Sequence, residues 1–270
     1  MRYTPVVGVR RGRRETAEPS SFPKETSMAI PHASSLVDSP APPPDGEALF
    51  DVGLRLVERH DGGREAREFD MLGLRWDLVP RVFAPVHTDS TELFTGWLPF
   101  PVSGSFLEVG CGAGVTAVMA ALAGCARVTA LDINPEAVRN TALNAVRHGV
   151  ADRVRVLHSD LYDALAPGER FDVVFWNSNV IHAPEEFVYT RPMQYAIFDR
   201  SYATHDRYLR DGLTRLTPSG RLFLGFNSLG DAERLHSLAA ESGARITERE
   251  RTIRRAGDVP VTFQLLEVAA

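Results

Sequence analysis

Leu107-Glu108-Val109-Gly110-Cys111-Gly112-Ala113-Gly114-Val115 decides how this chain folds. A short β-type run ends in three alternating glycines, and an apolar helical pattern follows from Val115. A strand that runs through glycines into a helix lets the backbone approach a ligand closely and aims the free N–H groups of the helix start at it. A nucleotide-like cofactor is implied. The dinucleotide fingerprint Gly-x-Gly-x-x-Gly is not met, because the third glycine arrives one position early, at Gly114.

Outward from that turn, strands and helices alternate. Strands are expected at 105–109, 127–132, 154–158, 171–176 and 221–226, and helices at 115–123, 135–148, 201–216 and 231–241. Asn134-Pro135 and Gly230-Asp231 are helix start signals, and Gly149 is a stop. Two β-rich stretches, 245–253 and 261–268, joined through Gly257-Asp258, predict a closing hairpin. The pattern predicts an α/β fold: a doubly wound, mostly parallel seven-stranded sheet with an antiparallel C-terminal hairpin. Residues 47–100 form a small N-terminal cap, a helix carrying Leu49, Val52 and Leu56 and then a hairpin over 64–85; residues 101–270 form the main domain. Residues 1–46 are read as a disordered tail, since eight of the 18 prolines fall in the first 45 positions with no apolar period between them. Arg10-Arg11-Gly12-Arg13-Arg14 is followed by no apolar segment, so it does not read as an export signal.

The chain has 270 residues, 44% hydrophobic and 24% charged, with a formal net charge of −5, which argues against bulk nucleic-acid binding. Two cysteines, Cys111 and Cys125, are too few for a disulfide scaffold, and no apolar stretch reaches membrane-spanning length. A cytoplasmic protein is expected. The eight histidines show no metal-ligand spacing, so no metal site is expected.

Glu108 sits directly before the glycines, where an acid is unwelcome beside a pyrophosphate but suits a cofactor carrying a sulfonium and an ammonium. Leu131-Asp132-Ile133-Asn134 ends the next strand with an acid 18 residues past Gly114, and His158-Ser159-Asp160-Leu161 and Asn177-Ser178-Asn179-Val180 end the following two. In these four places, from about Glu68 to the C-terminus, the sequence resembles the Rossmann-like, class I S-adenosylmethionine-dependent methyltransferases. Arg75 through Leu93, with Val82-Phe83-Ala84-Pro85 and Thr91-Glu92-Leu93, resembles the segment that covers the cofactor in the release-factor glutamine methyltransferases and their small-domain relatives. The resemblance implies S-adenosylmethionine as cofactor, with Glu108, Gly110, Gly112 and Gly114 around its methionine part and Asp132 on its ribose. Ile133, Asn134, Asp160 and Leu161 would border the adenine, and Thr91 and Asn177 would complete the site. The Asn-Pro-Pro-Tyr of amino-group methyltransferases is reduced here to Asn177.

Loops at strand C-terminal ends border the ligand crevice, so the insertion 181–200, with His182, Glu185, Glu186, Tyr189, Arg191, Tyr195 and Asp199, supplies candidate substrate contacts. Asn177 and His182 are the candidate catalytic residues, and Asn179, Tyr189, Arg191 and Tyr195 the candidate substrate-facing ones. The expected reaction is methyl transfer to a nitrogen, amine or amide, of a small molecule or peptide. The alternatives are an O-methyltransferase, a nicotinamide-dependent oxidoreductase and a cofactor-binding module without turnover. The sequence does not give the oligomeric state.

Overall fold

The computed structural model describes residues 46–61, 66–256 and 259–270. The tail reading for 1–45 and the Gly257-Asp258 turn fall outside them.

The glycine-bearing strand, β3 (Ser105–Val109), is buried along its whole length, which is why it is apolar on both faces apart from Ser105 and Glu108. It runs parallel to β4 (Arg127–Asp132) on one side and β6 (Phe171–Asn177) on the other. β5 (Val154–His158) extends the parallel set beyond β4, and β9 (Leu216–Asn227) extends it beyond β6. β10 (Arg245–Ala256) and β11 (Val259–Ala269) are antiparallel, and β11 pairs antiparallel with β9. The order β10-β11-β9-β6-β3-β4-β5 makes the expected seven-stranded sheet.

Side chains alternate across it. Phe106, Phe175 and Leu265 join the core under α2 (Ser90–Trp97), α3 (Val115–Leu122) and α4 (Pro135–Arg147). Leu107, Val174, Trp176 and Leu266 join the opposite core, with α1 (Gly46–Asp61), α5 (Ala203–Thr214) and α6 (Ala232–Glu241). The cap hairpin, β1 (Arg67–Met71) and β2 (Leu74–Leu78), turns at Leu72-Gly73 with both residues at positive φ, as a two-residue hairpin requires. Two buried asparagines of α4 hold it down. Asn140 accepts from Val79 N–H and donates to the Asp77 carbonyl, while Asn144 accepts from Asp77 N–H and donates to the Asp77 and Ala113 carbonyls.

Three expectations change. The helix predicted over 201–216 stops at Thr214, because Pro218 lacks a helical N–H and Leu216 already pairs with Phe171 as the start of β9. Ser90–Trp97, read only as covering sequence, is helical. The insertion is not all loop: β7 (Ile181–Ala183) and β8 (Phe198–Arg200) form a short parallel pair.

Candidate active site

β3, β4 and β6 and the Ser159–Leu161 turn after β5 end at one cleft of about 810 Å³, roofed by α1, the loop 81–89 and the insertion. Gly110, Gly112 and Gly114 all have positive φ, at 65°, 54° and 82°, a region that costs other residues strain. A Cβ on Gly114 would press into Thr141 at 2.8 Å, whereas one on Gly112 would meet no protein atom within 4 Å and would stand in the open cleft. The loop is pinned from β4. Cys111 N–H donates to the Leu131 carbonyl at 3.0 Å, Gly112 N–H to Asp132 Oδ2 at 2.9 Å, and Asn134 N–H to Asp132 Oδ1 at 2.8 Å. Burial raises the Asp132 carboxyl above the usual range, and those two backbone donors offset part of the shift. An ionised carboxylate has about four acceptor sites, so lone pairs are left for two ribose hydroxyls.

Glu108 is 3% exposed and points to Thr116 and the Ala117 N–H, and its Oε2 has no hydrogen-bond partner. Burial pushes its carboxyl up to about 8. A buried carboxyl with one unsatisfied oxygen beside a glycine cradle fits the ammonium end of a cationic cofactor. Ile133 is 37% exposed on the cleft wall, placed to lie against a flat ring.

The other predicted residues divide. Thr91, on the first turn of α2, and Leu161, buried at φ 47°, line the cleft. Asn134 lines it too, but its side chain caps α4 by accepting from Glu136 N–H and donates to the Arg81 carbonyl, so it ties the cover to the sheet. Asp160 reaches the cleft half-exposed and paired with Arg207 of α5 at 3.1 Å. Asn177 donates to Ser90 Oγ at 3.3 Å, which links the strand end to the cover helix. Tyr189 and Tyr195 stack at 4.1 Å and line the cleft with Asn179.

His182 and Arg191 are not brought to the cleft wall. The alternation of β7 turns His182 toward Asp231, 3.4 Å away, and Arg191 pairs with Glu58 of α1 at 2.9 Å. Glu185 and Glu186 are exposed and lie outside the cleft lining as well. Sequence reasoning missed Ser90, Trp176 and His60, which line the cleft; Ser90 sits next to the quoted Thr91, but nothing in the local pattern marks the others. Among the described residues no group of His, Cys, Asp and Glu is arranged to hold a metal, and no helix is long and apolar enough to cross a membrane.

A glycine cradle at the first strand of a doubly wound sheet, with an acid closing the second, defines a Rossmann-like cofactor-binding enzyme. Residues 106–191 match the family described as methyltransferase domain. Over 154 residues the chain is 30% identical to the ribosomal protein uL3 glutamine methyltransferase of Burkholderia pseudomallei, covering 53% of this chain and 50% of that protein. It is 29% identical over 204 residues to the release factor glutamine methyltransferase of Bordetella pertussis, covering 71% of this chain and 72% of the relative. A putative S-adenosylmethionine-dependent methyltransferase structure from Streptococcus mutans shares the fold, with a TM-score of 0.55 at 12% identity, over 76% of this chain and 56% of that one. The chain spans about half the length of the first of these relatives. The match over 106–191 and these similarities support a class I S-adenosylmethionine-dependent methyltransferase, with S-adenosylmethionine as the cofactor.

Proposed function

We propose that this chain moves the methyl group of S-adenosylmethionine to a nitrogen atom, of an amine or amide, in a small molecule or peptide. One observation carries the reading. Asn179 is buried in the cleft wall, its Nδ2 donates to the Tyr195 and Phe198 carbonyls at 3.1 and 2.7 Å, and its Oδ1 has no partner. The two donated bonds fix which way the amide points. A buried acceptor left unpaired costs about 1–3 kcal/mol, and an N–H of the methyl acceptor would restore that bond. Asn177, two residues earlier, supplies a second amide at the strand end.

The sulfonium already activates the methyl group for displacement. The residues of the chain have to bring the nucleophile to about 3–3.5 Å and in line, and to keep water out. Asn177 and Asn179 orient the nitrogen, and the stacked Tyr189–Tyr195 pair walls the side away from the cofactor. The glutamine methyltransferases of Burkholderia pseudomallei and Bordetella pertussis act, by their names, on a residue ending in an amide nitrogen, which supports this reading.

Transfer from labelled S-adenosylmethionine to a panel of amines, carboxamides, glutaminyl peptides and phenols, with the product located by mass spectrometry and NMR, tests it. N-methyl products are expected, with Asn177→Ala lowering kcat/KM roughly 10²-fold, the usual consequence of misplacing the acceptor. O-methyl products alone, or an Asn177→Ala enzyme as fast as the parent, would refute it.

A further inference from the structure

The aromatic rings of the insertion form a stack that ends in the cleft. Phe187 packs on Phe50 of α1 and Phe198 of β8, at centroid distances of 5.6 and 5.0 Å, and meets the Tyr189 ring edge-on at 5.1 Å. Tyr189 is pinned by its hydroxyl, which donates to the Phe198 carbonyl at 3.2 Å and accepts from Arg200 N–H at 3.0 Å. Tyr195 is the last layer, parallel to Tyr189 within 9°. Among the described residues no other ring meets it, and no other aromatic side chain is left as exposed, at 41%. One face of the Tyr195 ring is covered by Tyr189, and the other stands open in the cleft. Val86 and Val188 add exposed apolar surface to the same cleft. A rigid aromatic face with nothing on it, inside a ligand cleft, is built to receive another flat ring.

The charge of the cleft sets the state of the nitrogen. Arg59, Arg81, Arg200 and Arg254 are exposed in its lining and form no ion pair among the described residues. Most of the acids there are engaged. Glu108 and Asp132 face the cofactor, Asp160 pairs with Arg207, and Asp199 is buried against the Thr204 and His205 N–H groups, which leaves Asp89 against four arginines. This excess of positive charge disfavours an ammonium. The histidine of the insertion, His182, is turned to Asp231 and supplies no base to deprotonate one. An NH2 bound directly to an aromatic ring is neutral at pH 7 and keeps its lone pair, so it needs neither a counter-ion nor a base.

We propose that the methyl acceptor is an aromatic amine, whose flat ring lies on the open face of Tyr195 and whose uncharged NH2 donates to Asn179 Oδ1. This rests on the nitrogen-transfer reading and narrows it. The two contacts are joined in the protein, because Asn179 Nδ2 donates to the carbonyl of Tyr195 itself at 3.1 Å. The lone pair of the amine forms the N–C bond to the methyl group while the C–S bond breaks, its electron pair leaving on sulfur. The positive charge passes to nitrogen, and the arylammonium so formed gives one proton to water, leaving a neutral N-methyl arylamine.

The test uses the full chain loaded with S-adenosylhomocysteine and titrated calorimetrically with three probes. 5-Aminoindane is an aromatic amine; its isomer 2-aminoindane has the same ring but carries an ammonium; cyclohexanecarboxamide has a neutral nitrogen and no flat ring. 5-Aminoindane is expected to bind about tenfold more tightly than either. Tyr195→Leu should remove its advantage over cyclohexanecarboxamide, and Tyr195→Phe, which retains the ring, should keep it. Unchanged S-adenosylhomocysteine affinity in both variants reports that the cleft is intact. Binding of either comparison probe as tight as 5-aminoindane, or an advantage that survives Tyr195→Leu, overturns the proposal. Labelled methyl transfer to these probes and to 5-indanol separates the two readings. Methylation of the carboxamide or alkylamine nitrogen without methylation of 5-aminoindane defeats this inference alone, and methylation of the indanol oxygen alone defeats both.

Discussion

At the scale of single residues, Glu108 and Asp132 both lose solvation and are compensated differently. Asp132 has two backbone donors, whereas one oxygen of Glu108 has none. Losing the net worth of one charge-assisted bond at Asp132, about 1.5–3 kcal/mol, should already weaken S-adenosylhomocysteine binding in Asp132→Ala by roughly 10- to 100-fold, measurable by calorimetry. For Glu108 the folded carboxyl titrates near 8, above its ordinary 4.5. The ligand-free fold therefore holds a proton that the unfolded chain has released across that window, and stability falls as pH rises through it. Glu108→Gln should flatten the fall of Tm between pH 5 and 8. The same substitution should weaken binding of the cationic cofactor, because the carboxylate it would face is gone.

At the scale of elements, α1 is the roof of the cleft and its attachment is tight. A Cβ on Gly53 would strike the ring of Phe198 and approach Ile181, so α1 sits flush on the β7–β8 pair. Alanine normally improves a helix interior, yet Gly53→Ala should destabilise the protein by about 1–3 kcal/mol through overpacking, read as a lower denaturant midpoint. His60, at the other end of α1, accepts from Ala84 N–H and stacks on Phe83 at 3.9 Å. Burial, helped by His87 and Arg59, lowers its imidazole to about 3 from 6.5. The unfolded chain binds the proton first as pH falls below 6.5, so the stability due to neutral His60 is lost progressively from there toward 3. With the slower intrinsic exchange at pH 5 divided out, hydrogen-exchange protection over 46–61 should fall between pH 7 and pH 5 more than protection in the β3–β6 core.

At the scale of the whole molecule, the cofactor cleft joins the cap, the sheet ends and the insertion, so ligand binding stabilises them together. At 100 times its Kd, S-adenosylhomocysteine adds about 2.7 kcal/mol, which for a domain of this size raises Tm by roughly 5–10 °C. NAD at the same concentration should leave Tm unchanged, since Glu108 faces the loop that would have to receive a pyrophosphate. A comparable shift with NAD would mean that the cradle accepts phosphate after all.

The sequence determined the sheet and its cofactor end. Apolar runs closed by glycine or an acid mark strands buried on both faces, and Gly110, Gly112, Gly114 and Asp132 are read from neighbours a few residues away, because backbone sign and strand-end position are local properties. What depended on long-range packing was not legible. The asparagines of α4 dock the cap through bonds spanning more than 60 residues, Ser90 meets Asn177 across 87, and β7 pairs with β8 in a segment whose local pattern reads as loop. The acceptor side of the cleft shows the difference most sharply. His182 and Asp199 sit in the same insertion and read alike as candidate polar residues, and only the pairing of two three-residue strands puts them side by side on one face, His182 toward Asp231 and Asp199 buried against the Thr204 and His205 N–H groups at the start of α5.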